Sequence, residues 1–560
     1  MVALLGLCAL TFFAGLGRPA ISDSDEAFYA ESAREMIDRG DWLTPHYNDS
    51  VRFEKPVLYY WLAAGSYTVA GVSAAAARFP SALAGLGLVL LAYACARRWY
   101  DDGTAFLAGV ITATSFGYVT MAHQALPDLA LAFFVTLAIW SAMVAVLADR
   151  PGGTLRPRAR RWLVLGAVGA AGAVLIKGPV GLAIPAAVVT PVMAWEQWRG
   201  RPHWRLSLAD LAVGALVFLG LAAPWYGAMA IEHGPAYLER FFISENVERF
   251  TTARYNDPRP MWYYLPIVAG GLLPWTPFMA LWWPAVRTAW REGHLPVVEL
   301  RLAVWALAPL AFYTLSVGKQ PRYILPMLPP LAILLARSIR RAIVESSDQA
   351  GLFAALASVV GVVIAVLAVL VYAARALLVE WDGAWTLVVA GALLLSGVVI
   401  VVTALASFNG CSPQARMRRS WVPALTAAAA VVAALGAHYV VLASPGPAPV
   451  ERMASLVQEA RAAGEPYGRF RAFNRNLVFY TETPHVELPV LDAARDFLRS
   501  SERVLCVLPE ADAARLENEG LQLTHLGELR YLNTGSLTLR TLLEPDPDRY
   551  LQRIVLVTNR

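Results

Sequence analysis

What most constrains this chain is its succession of apolar windows. Runs of about 20 residues suffice to cross a hydrocarbon layer of roughly 30 Å at about 1.5 Å per residue. Such runs, bounded by charge or by Gly and Pro, lie at 2–17, 79–96, 104–122, 128–148, 162–176, 179–195, 207–223, 262–283, 302–317, 323–340, 351–373, 384–406 and 421–442. The series predicts an α-helical polytopic membrane protein with about thirteen spans, since in lipid only helices or closed barrels satisfy every backbone N–H and C=O. Composition agrees, with 57% hydrophobic residues, 16% charged and 18 Trp, and a mean hydropathy of +0.48; a wholly soluble protein is excluded. The formal net charge of +5 is small for 560 residues and is laid out in short loops, so a nucleic-acid partner is excluded too. Cys8, Cys95, Cys411 and Cys506 are scattered and give neither a disulfide framework nor a metal spacing. The opening MVALLGLCALTFFAGL has no basic leader or small-residue cleavage site, so an uncleaved helix is expected, with a few residues missing ahead of it.

Orientation follows from the basic residues of short loops. Arg97 and Arg98, then Arg150, Arg156, Arg158, Arg160 and Arg161, then Arg199, Arg201 and Arg205 fall in alternate loops. Arg287, Arg291 and Arg301, then Arg337, Arg340 and Arg341, then Arg416, Arg418 and Arg419 continue the alternation, while the intervening loops hold little beyond Lys177, Lys319, Arg322 and Arg375. The arginine-rich set is expected in the cytoplasm, which puts loops 18–78 and 224–261 and the tail outside. The alternation needs an odd number of spans and therefore a true turn at Lys177. The expected division is a membrane domain over 1–443, a Pro/Gly linker over 444–450 and a small soluble external α/β domain over 451–560. In that tail, 451–463, 492–500 and 511–520 read as helices, and 470–473, 477–480, 504–508 and 554–557 as strands. No catalytic motif stands out there, and packing on the membrane domain or shaping acceptor access is its expected role.

The densest polar stretch of the first 140 residues runs from Asp23 to Trp61. A helix capped at Asp23 or Ser24, with Glu26 as in a capping box, should end at Gly40 and carry Tyr29, Ala33, Met36 and Ile37 on one face. A second helix should start at Pro56 and stop at Gly71, leaving Lys55 just ahead of it. In the 224–261 loop, AYLERFFISENVERF sets Tyr237, Phe241, Phe242, Ile243 and Val247 as apolar against Arg240, Glu245, Glu248 and Arg249 as polar. A third connection, GKQPRYILPMLPP, holds Lys319, Arg322 and Tyr323 at the membrane face.

These residues suit an enzyme acting on lipid-linked substrates, which needs a carboxylate near the reacting carbon, cations for a lipid phosphate and a greasy groove. Asp25 and Glu26 lie in a helix first turn, whose dipole keeps a carboxylate ionised; an acidic first turn is equally an ordinary helix start. Asp128, at the start of another helix on the same side, has the same two readings. The cations are Lys55, Arg240, Lys319 and Arg322, with Lys177 at a turn; each could bind phosphate or simply reach from the bilayer to water. The Trp and Tyr residues around them belong to an interfacial belt. His46 and Glu54 are near in sequence without forming a ligand set, so no cofactor is required and a divalent metal is left open.

Several motifs in order add a resemblance. DEAFYAESAREM, then GDW, then FEKPVLYYW, with LIKGPVG, FFISENVERF and the run Lys319 to Pro326, resembles the GT-C glycosyltransferases of the protein O-mannosyltransferase superfamily. Within it the likeness is to the lipid A 4-amino-4-deoxy-L-arabinose transferases. The resemblance implies an inverting transfer of aminoarabinose from undecaprenyl phosphate to lipid A phosphate, at the periplasmic face of a bacterial inner membrane, giving resistance to polymyxin and cationic antimicrobial peptides. It implies Asp25 as the loop acid, with Glu26 beside it, Asp128 as a second acid, Lys55 and Arg240 as donor-phosphate ligands joined by Lys319 and Arg322, and Tyr323 as a pocket residue. The partners expected are the undecaprenyl phosphate-linked donor, lipid A and membrane lipids, with the chain acting as a monomer. A phosphate monoester, with a second pKa near 6, is already an anionic nucleophile at neutral pH, so with that acceptor Asp25 need not remove a proton. The alternatives are a related transferase moving another sugar, such as mannose to protein or a sugar to the lipopolysaccharide core, and a lipid transporter. A transporter would need ionisable residues deep in its spans.

Overall fold

A computed structural model of the chain describes residues 1–147, 157–199, 207–252, 258–293, 296–344, 349–374, 383–407, 413–438, 447–532, 546 and 550–560. Arg150, Arg156, Arg201, Arg205, Arg375, Cys411 and most of the 444–450 linker lie outside these residues. Among them, nine helices are long and apolar enough to cross a membrane, or eleven if each of two bent pairs is one span. Asp102–Thr114 and Phe116–Ala122 meet at 56°, and Met261–Gly271 and Thr276–Arg291 at 109°. The two bends touch: the Phe116 N–H donates to the Leu273 carbonyl at 2.9 Å. Two expected windows are shorter than drawn. The first helical stretch, Val2–Phe13, stops where Ala14 turns to extended backbone. The 323–340 window opens as a tight helical turn over Pro321–Met327 and becomes an α-helix only over the 17 residues Leu328–Val344, because closely spaced prolines remove donors from the regular ladder.

Lys177 stands at a sharp turn. Helices Pro157–Lys177 and Val180–Trp198 are joined through Gly178 at φ +79°, a conformation that favours glycine. A Cβ on Gly181 would lie 2.4 Å from the Ala173 carbonyl carbon, so the two helices pack backbone to backbone. The expected 224–261 loop, by contrast, begins as helix. Leu208–Leu238 runs straight past Pro224 and breaks only at Gly234 (φ 58°, ψ −144°) before a wider helical stretch, Glu239–Glu248. The apolar run WYGAMAI after Pro224 keeps the segment worth burying. Ile243 and Val247 are exposed and Glu245 is buried, the reverse of the sequence expectation.

The polar stretch forms two helices, Asp25–Arg39 and Leu58–Ala70. Ser24 caps the first, its hydroxyl accepting from the Glu26 N–H, and Gly40 closes it at φ 67°. Tyr29, Ala33 and Met36 are buried against protein. Glu26 does not complete a capping box. Its carboxylate turns inward and accepts from Arg78 Nε at 2.7 Å, Arg78 Nη2 at 3.2 Å, Ala125 N–H at 2.9 Å and Ser22 N–H at 2.9 Å. Arg78 spends its remaining donors on the carbonyls of Leu16, Pro19 and Ala20. Between the two helices a short hairpin pairs β1 (His46–Tyr47) with β2 (Ser50–Val51). Its turn residues Asn48 and Asp49 both have positive φ, as a tight two-residue hairpin demands.

Beyond residue 449 the chain builds a five-stranded mixed sheet from β3 (Tyr467–Arg469), β4 (Val486–Glu487), β5 (Leu505–Pro509), β6 (Thr524–Leu532) and β7 (Leu551–Thr558), in the order β4-β3-β5-β7-β6. Pairs β3/β4 and β3/β5 are parallel, while β5/β7 and β6/β7 are antiparallel. The strand expected at 470–473 sits instead at 467–469, and 477–480 is a helix, Leu477–Thr481. This unit is fastened to the polar stretch. Asp23 accepts from the N–H groups of Asn474 and Arg475 at 2.9 and 2.6 Å. The Ile21 N–H donates to the Tyr480 hydroxyl at 2.7 Å, and Asn48 exchanges two hydrogen bonds with the His485 backbone at 3.0 and 2.9 Å.

The buried Glu26–Arg78 pair gives a stability prediction. Arg78→Leu leaves the Glu26 charge without its partner, which costs about 3–5 kcal/mol. Thermal unfolding in detergent should show a large fall in Tm, and Glu26→Leu combined with Arg78→Leu should recover part of it. Equal Tm values for the single variant and the parent would refute the assignment.

Candidate active site

Five chain segments meet where an alternating line of charges forms. Asp25, in the first turn of its helix, accepts from Arg322 Nη2 through Oδ2 at 2.5 Å and from Arg475 Nη1 through Oδ1 at 2.9 Å. Arg322 Nε lies 3.1 Å from Asp128 Oδ2, so one guanidinium bridges the two acids. Asp128 follows Pro127 in the first turn of its own helix, with Leu126 rather than the acid at the cap. Its other oxygen takes Lys177, which also sits 4.4 Å above the Tyr323 ring. Asp25 is half-exposed and Asp128 buried.

Lys177 opens onto a cavity of about 450 Å³. Lys55, Lys177 and Arg249 supply its cations, Tyr313 and Tyr323 its hydroxyls, and Phe241, Phe242, Val180 and Phe312 an apolar wall. Lys55 donates to Glu245 Oε2 at 2.9 Å, and Arg249 to the same oxygen at 2.7 Å. Among the described residues the Tyr313 hydroxyl and Glu245 Oε1 are buried without a hydrogen-bond partner, in a cavity that could supply one. Burial pulls the Lys55 ammonium down to about 8, with Glu245 opposing the shift. For Asp25, burial pushes the carboxyl up, but the Arg322 charge and hydrogen bond, with Arg475 and Arg52, overcome it and hold the group below its ordinary value. Asp25 is thereby kept ionised.

The residues expected from sequence therefore divide. Asp25, Asp128 and Arg322 meet in one ion-pair line, and Lys55 and Tyr323 line the cavity with Lys177. Arg322 lies between the acids rather than among the cavity residues. Glu26 does not join them, its oxygens being filled on the far side of the helix by Arg78 and backbone donors. Arg240 pairs with Glu54 at 3.3 Å and does not line the cavity. Lys319 is buried with its ammonium on the Ser316 carbonyl, also outside the cavity lining. Arg475, Arg249 and Arg52 were not anticipated as site residues. The i, i+4 spacing of Glu245 and Arg249 was the available signal for one of them, and the isolated arginine in FNRNLVF gave none for Arg475. His46 bonds to the Thr44 carbonyl and Glu54 to arginines, and among the described residues no three His, Cys, Asp or Glu side chains gather as a metal cluster.

Residues 19–233 match the family model for dolichyl-phosphate-mannose-protein mannosyltransferase. The whole chain superposes on the crystal structure of ArnT from Cupriavidus metallidurans bound to undecaprenyl phosphate, with a TM-score of 0.73 over 100% of this chain and 98% of that one, at 23% identity. The chain has the GT-C fold. The archaeal oligosaccharyltransferase AglB from Archaeoglobus fulgidus shares it more distantly, with a TM-score of 0.54, 14% identity, and 90% and 69% of the two chains covered. In sequence, the chain is 37% identical over 320 residues to the undecaprenyl phosphate-alpha-4-amino-4-deoxy-L-arabinose arabinosyl transferase of Pseudomonas paraeruginosa, covering 56% of this chain and 55% of the relative. It is 34% identical to the Aeromonas salmonicida protein of the same name over 58% and 57% of the two. The chain thus spans a little over half the length of the curated relatives it matches.

The ion-pair line makes a pH prediction. The Asp25 pairs contribute stability that is full above an ordinary carboxylate pKa of about 3.9 and is lost as pH falls through the lower folded-state value. Removing Arg322 raises that folded-state value. The Tm of Arg322→Gln should therefore fall less than that of the parent protein as pH drops below about 4. Superimposable Tm against pH curves would contradict the bridge.

Proposed function

We propose that this chain is an inverting glycosyltransferase that moves 4-amino-4-deoxy-L-arabinose from undecaprenyl phosphate to phosphate groups of lipid A. In this reading the chain is a multi-pass protein of the bacterial inner membrane. Its thirteen spans (residues 1–443), a linker (444–450) and a soluble α/β unit (451–560) put the site and the tail on the periplasmic side, and the product confers resistance to polymyxin and cationic antimicrobial peptides. Support comes from the aminoarabinose transferases it resembles in sequence, from the ArnT fold, and from the arrangement of cations and acids. The observation that carries the mechanism is Asp25 held ionised between two guanidiniums. A general base working near neutral pH needs a raised pKa, and this carboxyl is pushed the other way. An acceptor phosphate is already an anion and needs no base.

The donor phosphate belongs in the cavity. Lys55, Lys177 and Arg249 neutralise it, Tyr313 offers its hydroxyl, and the aromatic wall takes the first isoprene units. In the transfer, an acceptor phosphate oxygen attacks the anomeric carbon as the bond to the donor phosphate breaks. The lipid phosphate leaves with the bonding electrons, and configuration inverts. Asp25 stabilises positive charge developing on the sugar, or its amine, while the cavity cations stabilise the departing phosphate. Glu26 supports the site through Arg78, and Arg240, Lys319 and Arg322 act around it rather than on the donor phosphate.

Asp25→Asn should abolish transfer, read by mass spectrometry of lipid A, while undecaprenyl phosphate binding stays within about threefold of the parent. Full activity in that variant would remove Asp25 from the mechanism, and lipid A unchanged by the parent protein would remove the sugar assignment. Donor binding should also report Lys55. With its ammonium pulled down to about 8, undecaprenyl phosphate affinity should decline as pH rises through that value, above the range near 6 in which the phosphate takes its own second charge. Lys55→Arg, which stays charged, should flatten the decline; an equal decline in both proteins would clear Lys55 of the role.

A further inference from the structure

The line of charges has two ends. One is Lys177, at the cavity assigned to the donor phosphate. The other is Arg475, at the opposite side of Asp25, carried by the tail. An inverting displacement puts the attacking and leaving oxygens on opposite sides of the sugar carbon, so two phosphates must be held there, one on each side. Only one of those sites is accounted for by the cavity.

Arg475 has the properties the second needs. Its guanidinium is half-exposed and lies 4.9 Å from the Phe28 ring, while that of Arg52 lies 4.0 Å from the same ring. Phe28 is itself braced edge-on by Tyr47, at 4.6 Å between ring centroids. Two cations thus share one aromatic platform beside a single carboxylate that Arg322 already serves. Arg475 uses Nη1 on Asp25, and its Nε and Nη2 edge makes no side-chain hydrogen bond among the described residues. That edge is the planar two-donor fork that matches a phosphate. The backbone is committed to placing it. Arg471 and Phe473 take left-handed φ values of 55° and 47°, unfavourable for residues with a Cβ. Asp23 then captures the N–H groups of Asn474 and Arg475.

We propose that Arg475, assisted by Arg52, binds the acceptor's phosphate monoester, so that the tail supplies the acceptor half of the site. The proposal deepens the transfer reading and rests on it for the identity of the acceptor. A phosphate docks on the Nε and Nη2 edge with Nη1 still on Asp25, bringing its remaining oxygens toward the sugar bound over Asp25 and Asp128. Free phosphate shares this chemistry and should occupy the same edge weakly.

The test uses the full chain in nanodiscs without donor, so binding is read apart from turnover. Lipid A bearing its phosphates should bind Arg475→Gln about ten- to a hundredfold more weakly than the parent, the range expected for a lost charge-assisted bidentate contact. Enzymatically dephosphorylated lipid A should bind both alike, as should undecaprenyl phosphate. Arg475→Lys should recover part of the affinity, and inorganic phosphate should compete with lipid A for the parent but not for Arg475→Gln. In turnover the acceptor KM should rise more than kcat falls. Equal affinity of parent and Arg475→Gln for phosphorylated lipid A would overturn the proposal. So would a parallel loss for undecaprenyl phosphate, which marks general collapse of the site; Arg52→Gln then provides the second variant, and its failure to weaken phosphorylated lipid A overturns the proposal as well. Absence of aminoarabinose transfer by the parent would instead refute the transfer reading, while the binding contrast would still stand or fall by itself.

Discussion

Opposite charges alternating from Lys177 through Asp128, Arg322 and Asp25 to Arg475 are the constraint on which this face of the protein depends. A carboxylate in low dielectric is tolerated only when paired, and here each acid lies between two cations. No single segment could supply that line. Lys177 ends one helix at a glycine turn, Asp128 and Asp25 open two others, Arg322 sits in a proline-rich turn and Arg475 in the tail. Each acid fixes the position of a cation on a neighbouring element, so electrostatic pairing and tertiary assembly are the same event.

Adjacent acids in one helical turn show how finely the division is made. Successive residues of a helix point about 100° apart, so Asp25 and Glu26 cannot serve one site together. Glu26 faces the body of the protein, where Arg78 ties it to the carbonyls of Leu16, Pro19 and Ala20 and so fixes the chain leading into the helix. Asp25 then has one direction left, toward Arg322 and Arg475. The buried pair is structural and the half-exposed acid is available for chemistry because the first is held so completely.

Much of this was legible in the sequence because it is local. Apolar windows, the glycine turn after Lys177, the cap at Ser24 and the stop at Gly40 are written in residues a few positions apart, and the structure has helices or turns at each. The positions of Asp25 and Asp128 in helix first turns, and of Lys55 just ahead of a helix, are equally local. What failed was non-local. Glu245 reads as the wet side of an amphipathic segment, yet it is buried because Lys55, 190 residues away, reaches it. LVFY at 477–480 has strand composition and forms a helix, packed where Tyr480 and Asn476 bond to Ile21. Arg475 meets Asp25 across 450 residues, and nothing near it in sequence announces a partner. The bends at Ser115 and Pro274 were hidden because each window is apolar enough to pass as one straight span.

The tail's attachment separates holding from reacting. Its grip on the polar stretch comes from hydrogen bonds to Asp23, Ile21 and Asn48, none of which uses the Arg475 guanidinium. The Arg475–Asp25 pair is half-exposed on both sides, where an ion pair is worth only about 0–1 kcal/mol. Arg322 and Asp128, more enclosed, cannot part so cheaply. A ligand anion arriving at the free edge of Arg475 therefore meets the weakest contact of the line and leaves the strong ones intact. The tail can remain docked, Asp128 paired and Nη1 of Arg475 on Asp25 while the other edge of that guanidinium takes up an anion, as the proposed acceptor role requires.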